Sequence, residues 1–428
     1  MGNSFFHQRG GDNFASENKA YGNGTKQATK TSVRQASCQS MAFRANGLRH
    51  WVMRNIRMFM VVMMIGTVAM TAIASDTLKV KFRSRALLDA TASGYGQDEV
   101  QGYYRLEDFR VGFKANYGKF ELKADIGLGG GKVAVKDLLL NYHFNNSVIS
   151  VGNGYEPFSM DMLISTADLR LHQSAASALA FTNSRKLGVT YHFHDDNWYL
   201  ATGVYTNNDI NKLGDEKKNS LVSTSRVVWR TQDRLRKRLL HVGGAFSFRT
   251  KDVNKDNPMG NVSSDGVTSM FPSPLLEAEI DNMGTELKGL LEVLYTSRKV
   301  LLQAESFVDR LNRSGGLRHY LAYGGYAQGS YLIVGEGFDY DEMYAIPGRP
   351  LSDKAVELVA RFNYTNLNDG KSGIYGGEEK DLSLGVNWYL NKYLGVKFNG
   401  SYVWVGDHCD SFYDKNFFLL QARVQYIF

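Results

Sequence analysis

The feature that most constrains the fold of this chain is a strict alternation of apolar and polar residues. At the C-terminus every second residue is apolar, in the order Phe418, Leu420, Ala422, Val424, Tyr426 and Phe428. Polar residues such as Gln421, Arg423 and Gln425 occupy positions between them. Successive side chains of a β-strand point to opposite faces of the sheet. The chain is therefore predicted to end in a strand with one wholly apolar face and a terminal aromatic residue.

The same alternation recurs upstream and predicts sixteen strands. Their predicted ranges are 77–90, 101–117, 119–128, 133–144, 147–155, 185–194, 196–206, 221–231, 238–249, 283–297, 298–310, 317–338, 354–366, 379–390, 393–405 and 416–428. The links between strands alternate between short and long, and both termini fall on the short-link side, as in bacterial outer-membrane barrels. Lipid-exposed backbone must be fully hydrogen-bonded, so such strands must close, and sixteen of them enclose a water-filled lumen. We therefore predict an all-β fold, a 16-stranded antiparallel transmembrane β-barrel with short periplasmic turns and long external loops.

Residues 53–74 have the pattern of a signal peptide. A short basic start, MRNIR, precedes an uncharged run over residues 58–74, which ends in the small-x-small motif AIA. This motif predicts cleavage before Ser75. A transmembrane helix is the alternative, but it needs about 20 apolar residues and the run is slightly short. An exported chain with residues 75–428 as the barrel is therefore predicted to reside in the bacterial outer membrane.

The charge distribution argues against a nucleic-acid partner. Residues 1–74 hold nine Lys and Arg but only two acids, so they account for the whole formal net charge of +7. The remainder of the chain is neutral, and its partners cannot be inferred from bulk charge. Residues 1–52 lack periodicity and precede the predicted initiator Met53, so they are interpreted as a disordered leader or an over-extended gene start. Cys409 is the single cysteine after processing, which excludes an intramolecular disulfide.

The side of the strands predicted to face the lumen carries more bases than acids. The bases are Lys79, Lys81, Arg83, Arg85, Arg110, Lys114, Lys123, Lys186, Arg226, Arg230, Arg249, Arg361, Lys397 and Arg423. The acids are Asp108, Glu121, Asp125, Asp137, Glu305, Asp309, Glu357 and Asp381. Charges near a constriction set the sign of the permeant ion, so this excess predicts anion preference. The alternative is a solubilising surface, on which acids of neighbouring strands pair with the bases.

Several stretches resemble the phosphate-selective porin O and P family. They are VGNGYEPFSMDMLISTADL, RKLGVTYHF, LLQAESFVDRLN, YGGYAQGSYLIVGEGFDYD, KAVELVARFNYTNLNDG and LSLGVNWYLNKYLGVKFNGSYVWV. The resemblance implies a 16-stranded outer-membrane porin, usually a homotrimer, that passes small anions such as phosphate along arginines and lysines of the pore. It also implies that the third external loop, here residues 156–184, folds inward. That loop carries Arg170 as its one firm base, so an arginine-rich constriction is not evident in it.

The C-terminal strand resembles the assembly signal of bacterial outer-membrane proteins. In that class the terminal aromatic residue is recognised by the barrel-insertion machinery, which implies this role for Phe428 together with Tyr426. The apolar face of the strand would contact outer-membrane lipid.

No enzyme, cofactor or metal site is predicted. His192 and His194 share one strand face and could hold a metal, but a wet lumen commonly carries histidines. A barrel-embedded Ser/His hydrolase and a non-selective structural barrel remain as alternatives. A soluble β lectin would alternate as well, although it would not need so charged a polar face. A gated receptor barrel would carry a plug domain before its first strand, whereas the predicted mature chain enters a strand directly.

Overall fold

The computed structural model describes residues 78–95, 98–128, 133–212, 220–233, 235, 237–252, 258–410, 413 and 415–428. Within this part of the chain, sixteen strands form one closed antiparallel barrel and four shorter strands form two separate hairpins. The predicted leader and signal peptide lie outside the described residues. No helix in the described part is both long and apolar enough to cross a membrane.

The sixteen predicted strands are confirmed, with shifts of a few residues at their ends. The barrel strands are β1 (Lys79–Tyr95), β2 (Asp98–Tyr117), β3 (Phe120–Gly127), β4 (Ala134–Phe144), β5 (Ser147–Gly154), β6 (Lys186–His194), β7 (Trp198–Thr206), β8 (Leu221–Asp233), β9 (Arg238–Arg249), β12 (Met283–Thr296), β13 (Val300–Arg313), β14 (Tyr320–Val334), β17 (Ala355–Asp369), β18 (Ile374–Tyr389), β19 (Leu394–Val405) and β20 (Phe417–Ile427). Each pairs with its neighbours in chain order, and β20 closes the barrel against β1.

The outer surface is apolar because alternate residues of every strand face outward. Leu384, Phe398 and Leu420 are each more than half exposed, whereas the neighbouring Ser383 and Gln421 are buried on the lumen side. Full burial of an aliphatic or aromatic side chain contributes roughly 1.5–3 kcal/mol, and at this exposure about half of that would be lost in water for each residue. The arrangement is therefore stable in lipid, as the alternation predicts.

The alternation did not predict the two hairpins or the short helices. One hairpin joins β10 (Gly260–Ser264) to β11 (Leu276–Ile280), and the other joins β15 (Phe338–Asp341) to β16 (Ile346–Pro350). The helices are α1 (Met160–Leu163) and α2 (Ala176–Phe181), and a 3-10 turn spans Ile210–Lys212. All these elements lie in links between barrel strands. Residues there do not alternate between lipid and lumen, so the sequence shows no apolar and polar alternation.

One link contradicts the expectation that every turn on the side of the chain termini is short. Residues 335–354 join β14 to β17 on that side, and they contain the β15–β16 hairpin. The predicted strand 317–338 accordingly ends earlier, at Val334. The hairpin packs on the lumen side, where Phe338 belongs to an apolar cluster with Met160, Leu239, Leu294, Leu301, Leu332, Ala355 and Tyr389.

Arg226 of β8 anchors this hairpin to the barrel wall. Its guanidinium donates to the backbone carbonyl oxygens of Tyr344 at 2.7 Å and Ala345 at 2.8 Å. The same group forms an ion pair with Glu292 of β12, with Nε and Oε1 2.8 Å apart, and both side chains are fully buried. A buried charged group is tolerated only when it is paired and hydrogen-bonded, and these contacts satisfy both demands.

The link between β5 and β6, residues 155–185, folds into the barrel, as the resemblance implies for the third external loop. We call it the long loop. Glu305 of β13 anchors its helix α1: the carboxylate accepts from the Met160 amide at 2.7 Å, the Asp161 amide at 3.1 Å and the Ser159 hydroxyl at 3.0 Å. Tyr326 of β14 donates to the same carboxylate at 2.8 Å. An amide at a helix start has no partner within the helix, so a buried carboxylate there is well satisfied.

Apolar packing fills the lumen next to the later strands. The largest cluster combines residues of the long loop, the β10–β11 hairpin and the wall strands, among them Phe158, Phe181, Leu276, Phe307, Tyr320 and Tyr326. The rings of Phe181 on α2 and Phe307 on β13 stack with centroids 5.8 Å apart. This side of the barrel is therefore a packed core, and open space is left elsewhere in the lumen.

Candidate pore and its charged lining

A cavity of about 540 Å³ lies beside the wall formed by β1 to β4, and we call it the passage. The charged wall residues are Arg83, Arg85, Glu107, Arg110, Lys123, Asp125 and Asp137. Residues 162–169 and 172–174 of the long loop form the opposite side. The wall residues project into the same space because every second residue of a strand faces the lumen. The passage thus lies between a charged wall and an inserted loop.

Arg85, Asp108 and Arg110 form a cluster of two arginines around one carboxylate, the first triad. Arg85 donates to Asp108 through Nε at 2.9 Å and through Nη2 at 2.5 Å, and Arg110 Nε lies 3.0 Å from the same carboxylate. Arg85 also donates to the hydroxyl of Ser165 on the long loop. Two guanidinium groups share a single negative charge, so the triad carries a net charge of +1.

Lys123, Asp137 and Arg185 form a second triad, in which a lysine and an arginine share one carboxylate. Lys123 Nζ lies 2.7 Å from one oxygen of Asp137, and Arg185 Nε donates to the other at 2.6 Å. The guanidinium of Arg185 lies over the ring of Tyr155, 4.2 Å from its centroid, which orients it by a cation–π contact. This triad also has a net charge of +1, and half of its positive charge comes from the end of the long loop.

The other charged groups near the passage largely cancel. Arg83 pairs with Asp125 at 2.8 Å. Arg105 pairs with Glu107, and Arg349 pairs with Asp168 of the long loop. These pairs add no net charge, so the two triads supply the positive excess of the lining.

Two titratable groups outside the strands modify this balance. Burial and, to a smaller extent, the nearby Arg423 together lower the pKa of His172 to about 4, so the imidazole is neutral at physiological pH. Burial raises the pKa of Asp265, which also lines the passage, although Arg105 partly opposes the effect. Neither group reverses the sign of the charge contributed by the triads.

The structure divides the fifteen predicted pore bases, the fourteen on the strands and Arg170 of the long loop, into three groups. Arg83, Arg85, Arg110 and Lys123 line the passage, and each pairs with a carboxylate. Lys79, Lys81, Lys114 and Arg249 lie outside the passage lining; Lys79 and Lys81 are exposed, and the other two pair with Glu121 and Glu286. The third group is Arg170, Lys186, Arg226, Arg230, Arg361, Lys397 and Arg423, each at most 4% exposed. The expectation that every base lines an open pore is corrected by this third group.

The inserted segments explain why the third group is buried. The long loop and the link 335–354 fold against these side chains, which then donate to carboxylates and backbone carbonyls instead of water. Arg170 pairs with Glu357 at 3.1 Å, and Arg423 pairs with Asp89 of β1 through two contacts of 2.6 Å. Alternation fixes which way a wall residue points, but it does not reveal what covers that residue.

Arg185 is the main passage residue that the sequence did not predict. It lies immediately before β6, on the link side of the strand, where the period-2 rule no longer assigns a face. Ser165 and Tyr155 were missed for the same reason, since both belong to the long loop. The only signal in the sequence was a second basic residue directly before Lys186, and the direction of the Arg185 side chain could not be inferred from it.

Comparison with known proteins agrees with the barrel fold. A family model described as phosphate-selective porin O and P matches residues 73–428. A protein of Caulobacter vibrioides, described as uncharacterized, is 25% identical over 328 residues. That match spans 69% of this chain and 64% of the relative, so less than two thirds of the relative's length is matched.

Solved structures of outer-membrane proteins share the fold at low sequence identity. An anion-selective porin from Comamonas acidovorans superposes with a TM-score of 0.53 and 10% identity, covering 82% of this chain and all of that one. OmpT of Vibrio cholerae, folded in vitro and in its trimer form, gives a TM-score of 0.53 and 13% identity over 82% of this chain and all of that one. At such identities the likeness concerns the fold alone.

Proposed function

Because this chain belongs to the phosphate-selective porin O and P family, it is an outer-membrane porin, and we propose that its pore prefers small anions such as phosphate. The observation that carries the anion preference is the pair of triads beside the passage. Each triad holds two basic groups on one carboxylate, so together they contribute a charge of +2 beside the passage. A low-dielectric channel focuses such a field, and an anion entering it gains free energy.

The preference is expected to be moderate rather than strict. Most other charges near the passage are paired, and salt limits the reach of each charge to a Debye length of about 10 Å at 0.1 M. Phosphate is favoured as cargo by the family and by the guanidinium groups, which bind phosphate oxygens well. A poorly selective pore for small hydrophilic solutes is the alternative outcome.

Ion selectivity of the purified protein in a planar bilayer tests this proposal. Under a KCl gradient the zero-current potential of the wild type is expected on the anion-selective side. Replacing Arg83 and Arg85 with Gln removes two positive charges from the passage, so the potential should move towards the cation-selective side. The matched control replaces Lys79 and Lys81 with Gln, which removes the same charge from the same strand outside the passage lining.

The two variants separate location from total charge. A larger shift for R83Q/R85Q than for K79Q/K81Q supports the proposal, and the difference should shrink at 1 M salt, where the Debye length is about 3 Å. A wild-type pore that favours cations would overturn the anion preference. So would an R83Q/R85Q variant with an unchanged zero-current potential.

The same proposal covers the chain ends and the assembly. Residues 53–74 act as a signal peptide that is removed before Ser75, and Phe428 with Tyr426 is recognised by the barrel-insertion machinery. The outward face of the strands contacts outer-membrane lipid. A homotrimer is supported by the family resemblance and by the trimer form of the OmpT structure. Chemical cross-linking of the detergent-solubilised protein, with a trimer band expected, tests the assembly.

A further inference from the structure

Residues 166–173 of the long loop lie between the passage and the opposite wall of the barrel, and we call them the strapped segment. Donors from four adjacent strands reach its backbone carbonyls. Lys397 Nζ of β19 donates to Ala167 at 3.1 Å and also to Leu169. Asn387 of β18 donates to Arg170 at 2.9 Å. These bonds hold the segment by its main chain, in addition to the ion pairs that its side chains Arg170 and Asp168 make with Glu357 and Arg349.

The outermost contacts come from arginines on the flanking strands. Arg423 of β20 donates to the carbonyls of Thr166 at 3.2 Å and His172 at 3.0 Å. Arg361 of β17 donates to the carbonyl of Gln173 at 2.9 Å. Together with Lys397 and Asn387, these side chains form a row of donors across β17, β18, β19 and β20, strands that are consecutive in the barrel.

Lys397 is the most informative member of this row. It is 1% exposed, and no carboxylate of the described residues lies within ion-pair distance of its amino group. Burying an amino group costs free energy that an ion pair or several hydrogen bonds must offset, and here two backbone carbonyls supply those bonds. An apolar residue would fill the same space without this cost. We therefore attribute to Lys397 the role of holding the loop in position through these two hydrogen bonds.

The other side of the strapped segment borders the passage. Thr166, Ala167, Asp168, Leu169, His172 and Gln173 all line it, facing the wall that carries the two triads. The width of the passage thus depends on how closely this single stretch of chain is held against β17 to β20. We infer that Lys397, Arg361 and Arg423 are positioning residues that set the calibre of the pore, and that they do not attract the solute.

This inference rests on the proposed porin function, and it assigns these bases a different role from the passage arginines. A base that attracts anions changes the zero-current potential when it is neutralised. A base that only holds the loop leaves this potential nearly unchanged, while the pore becomes wider or noisier. The two roles therefore differ in which electrical property responds.

The test compares single-channel conductance and zero-current potential for Lys397→Met with those of the wild type. We expect a higher or fluctuating conductance with little shift of the potential. Lys397→Arg retains donors and should stay close to the wild type. The matched control is Lys380→Met on β18, an exposed lysine whose amino group contacts the ring of Tyr364 and not the loop.

A chemical measurement reports on the loop directly. In a Cys409→Ser background, Thr166→Cys places one thiol on the strapped segment, and its labelling rate by a water-soluble maleimide follows the exposure of the loop. Adding Lys397→Met removes two hydrogen bonds from the segment and should raise this rate roughly tenfold. Arg361→Met removes one donor, so a smaller increase of the labelling rate is expected. This variant replaces Lys397→Met in the test if Lys397→Met does not assemble.

The outcomes separate this inference from the porin proposal. A wild-type protein that forms no channel would contradict the proposed function itself. A wild-type channel whose conductance and labelling rate are unaffected by both Lys397→Met and Arg361→Met would overturn the positioning role alone. A large shift of the potential in Lys397→Met at unchanged conductance would also overturn it, because that result assigns the lysine to anion attraction.

Discussion

Phe428 and Ser84 exchange two backbone hydrogen bonds, 2.8 Å from the Phe428 amide to the Ser84 carbonyl and 2.9 Å in the reverse direction. They form the last pair of the seam that joins β20 to β1. The ring of Phe428 remains 60% exposed and stacks against Tyr393, with centroids 6.4 Å apart. The main chain of the terminal residue closes the barrel, whereas its side chain stays available on the outside.

Deleting Phe428 is therefore expected to impair barrel assembly in cells. The deletion removes both backbone bonds and the ring, while Phe428→Ala removes the ring alone. If the insertion machinery recognises the aromatic group, both variants should lose heat-modifiable barrel in outer-membrane fractions. Phe428→Ala should still refold in detergent, and Phe428→Tyr should behave as the wild type. Normal abundance of heat-modifiable barrel in the deletion variant would contradict this prediction.

The mature N-terminus is expected at or within a few residues of Ser75. The small-x-small motif before this residue is the basis of the prediction. N-terminal sequencing of protein from the outer membrane provides the measurement, and Ala74→Arg, which blocks the site, should leave the longer precursor. Recovery of residues upstream of Met53 in outer-membrane material would show that the interpretation of the leader is wrong.

Replacing Glu305 with Ala should destabilise the inserted long loop. Three donors of the loop and one tyrosine hydroxyl lose their common acceptor in a buried site. An unsatisfied buried polar group costs about 1–3 kcal/mol, and water entering the space recovers part of this, so we expect a loss of about 3 kcal/mol. The temperature at which the heat-modifiable band disappears measures the effect. Glu277→Ala, which loses an exposed contact to Asn261, is the control and should change little.

Arg226→Met is expected to release the β15–β16 hairpin and to destabilise the barrel. Breaking a buried ion pair typically costs about 3–5 kcal/mol, because one charge is left without a partner. Arg226→Met with Glu292→Leu removes both charges and should recover much of the stability, yet the hairpin still lacks its two donors. Chymotrypsin cleavage after Tyr344, whose carbonyl accepts from Arg226, should therefore increase in both variants. Equal protection of the Tyr344–Ala345 bond in wild type and double variant would count against the anchoring role.

His172 should make the folded barrel less stable in acid. Its pKa is about 4 in the folded protein against an ordinary value of 6.5, so the unfolded chain takes up the proton first as pH falls. The contribution of the neutral His172 to the free energy of unfolding is fully present above pH 6.5. It decreases as the pH falls from 6.5 to 4, by up to about 3 kcal/mol. His172→Gln should flatten this part of the stability profile relative to wild type. Identical slopes would indicate that the imidazole does not titrate in this range.

The strands could be predicted from the sequence because lipid imposes one rule on every outward-facing position. The passage could be predicted only in part. A register shift opposite Leu87 and Leu88 changes which residues of β2 face inward, and Arg105 above it turns to the lumen, where it donates to the Ser269 carbonyl at 2.8 Å. Such a register shift cannot be recognised from the alternation of apolar and polar residues in the sequence. The folding of the long loop was implied by the resemblance, but its contacts depend on residues more than a hundred positions away.

The off-centre passage has a consequence for how such a pore can diversify. Its charged wall comes from β1 to β4, a single uninterrupted stretch between residues 79 and 144, whereas β9 to β20 are committed to holding the inserted loops. Most charged residues that line the passage are thus encoded in one continuous segment of the chain. Recombination within the first quarter of the barrel strands can exchange that segment between relatives while leaving the packed half intact, so solute preference can change without loss of fold.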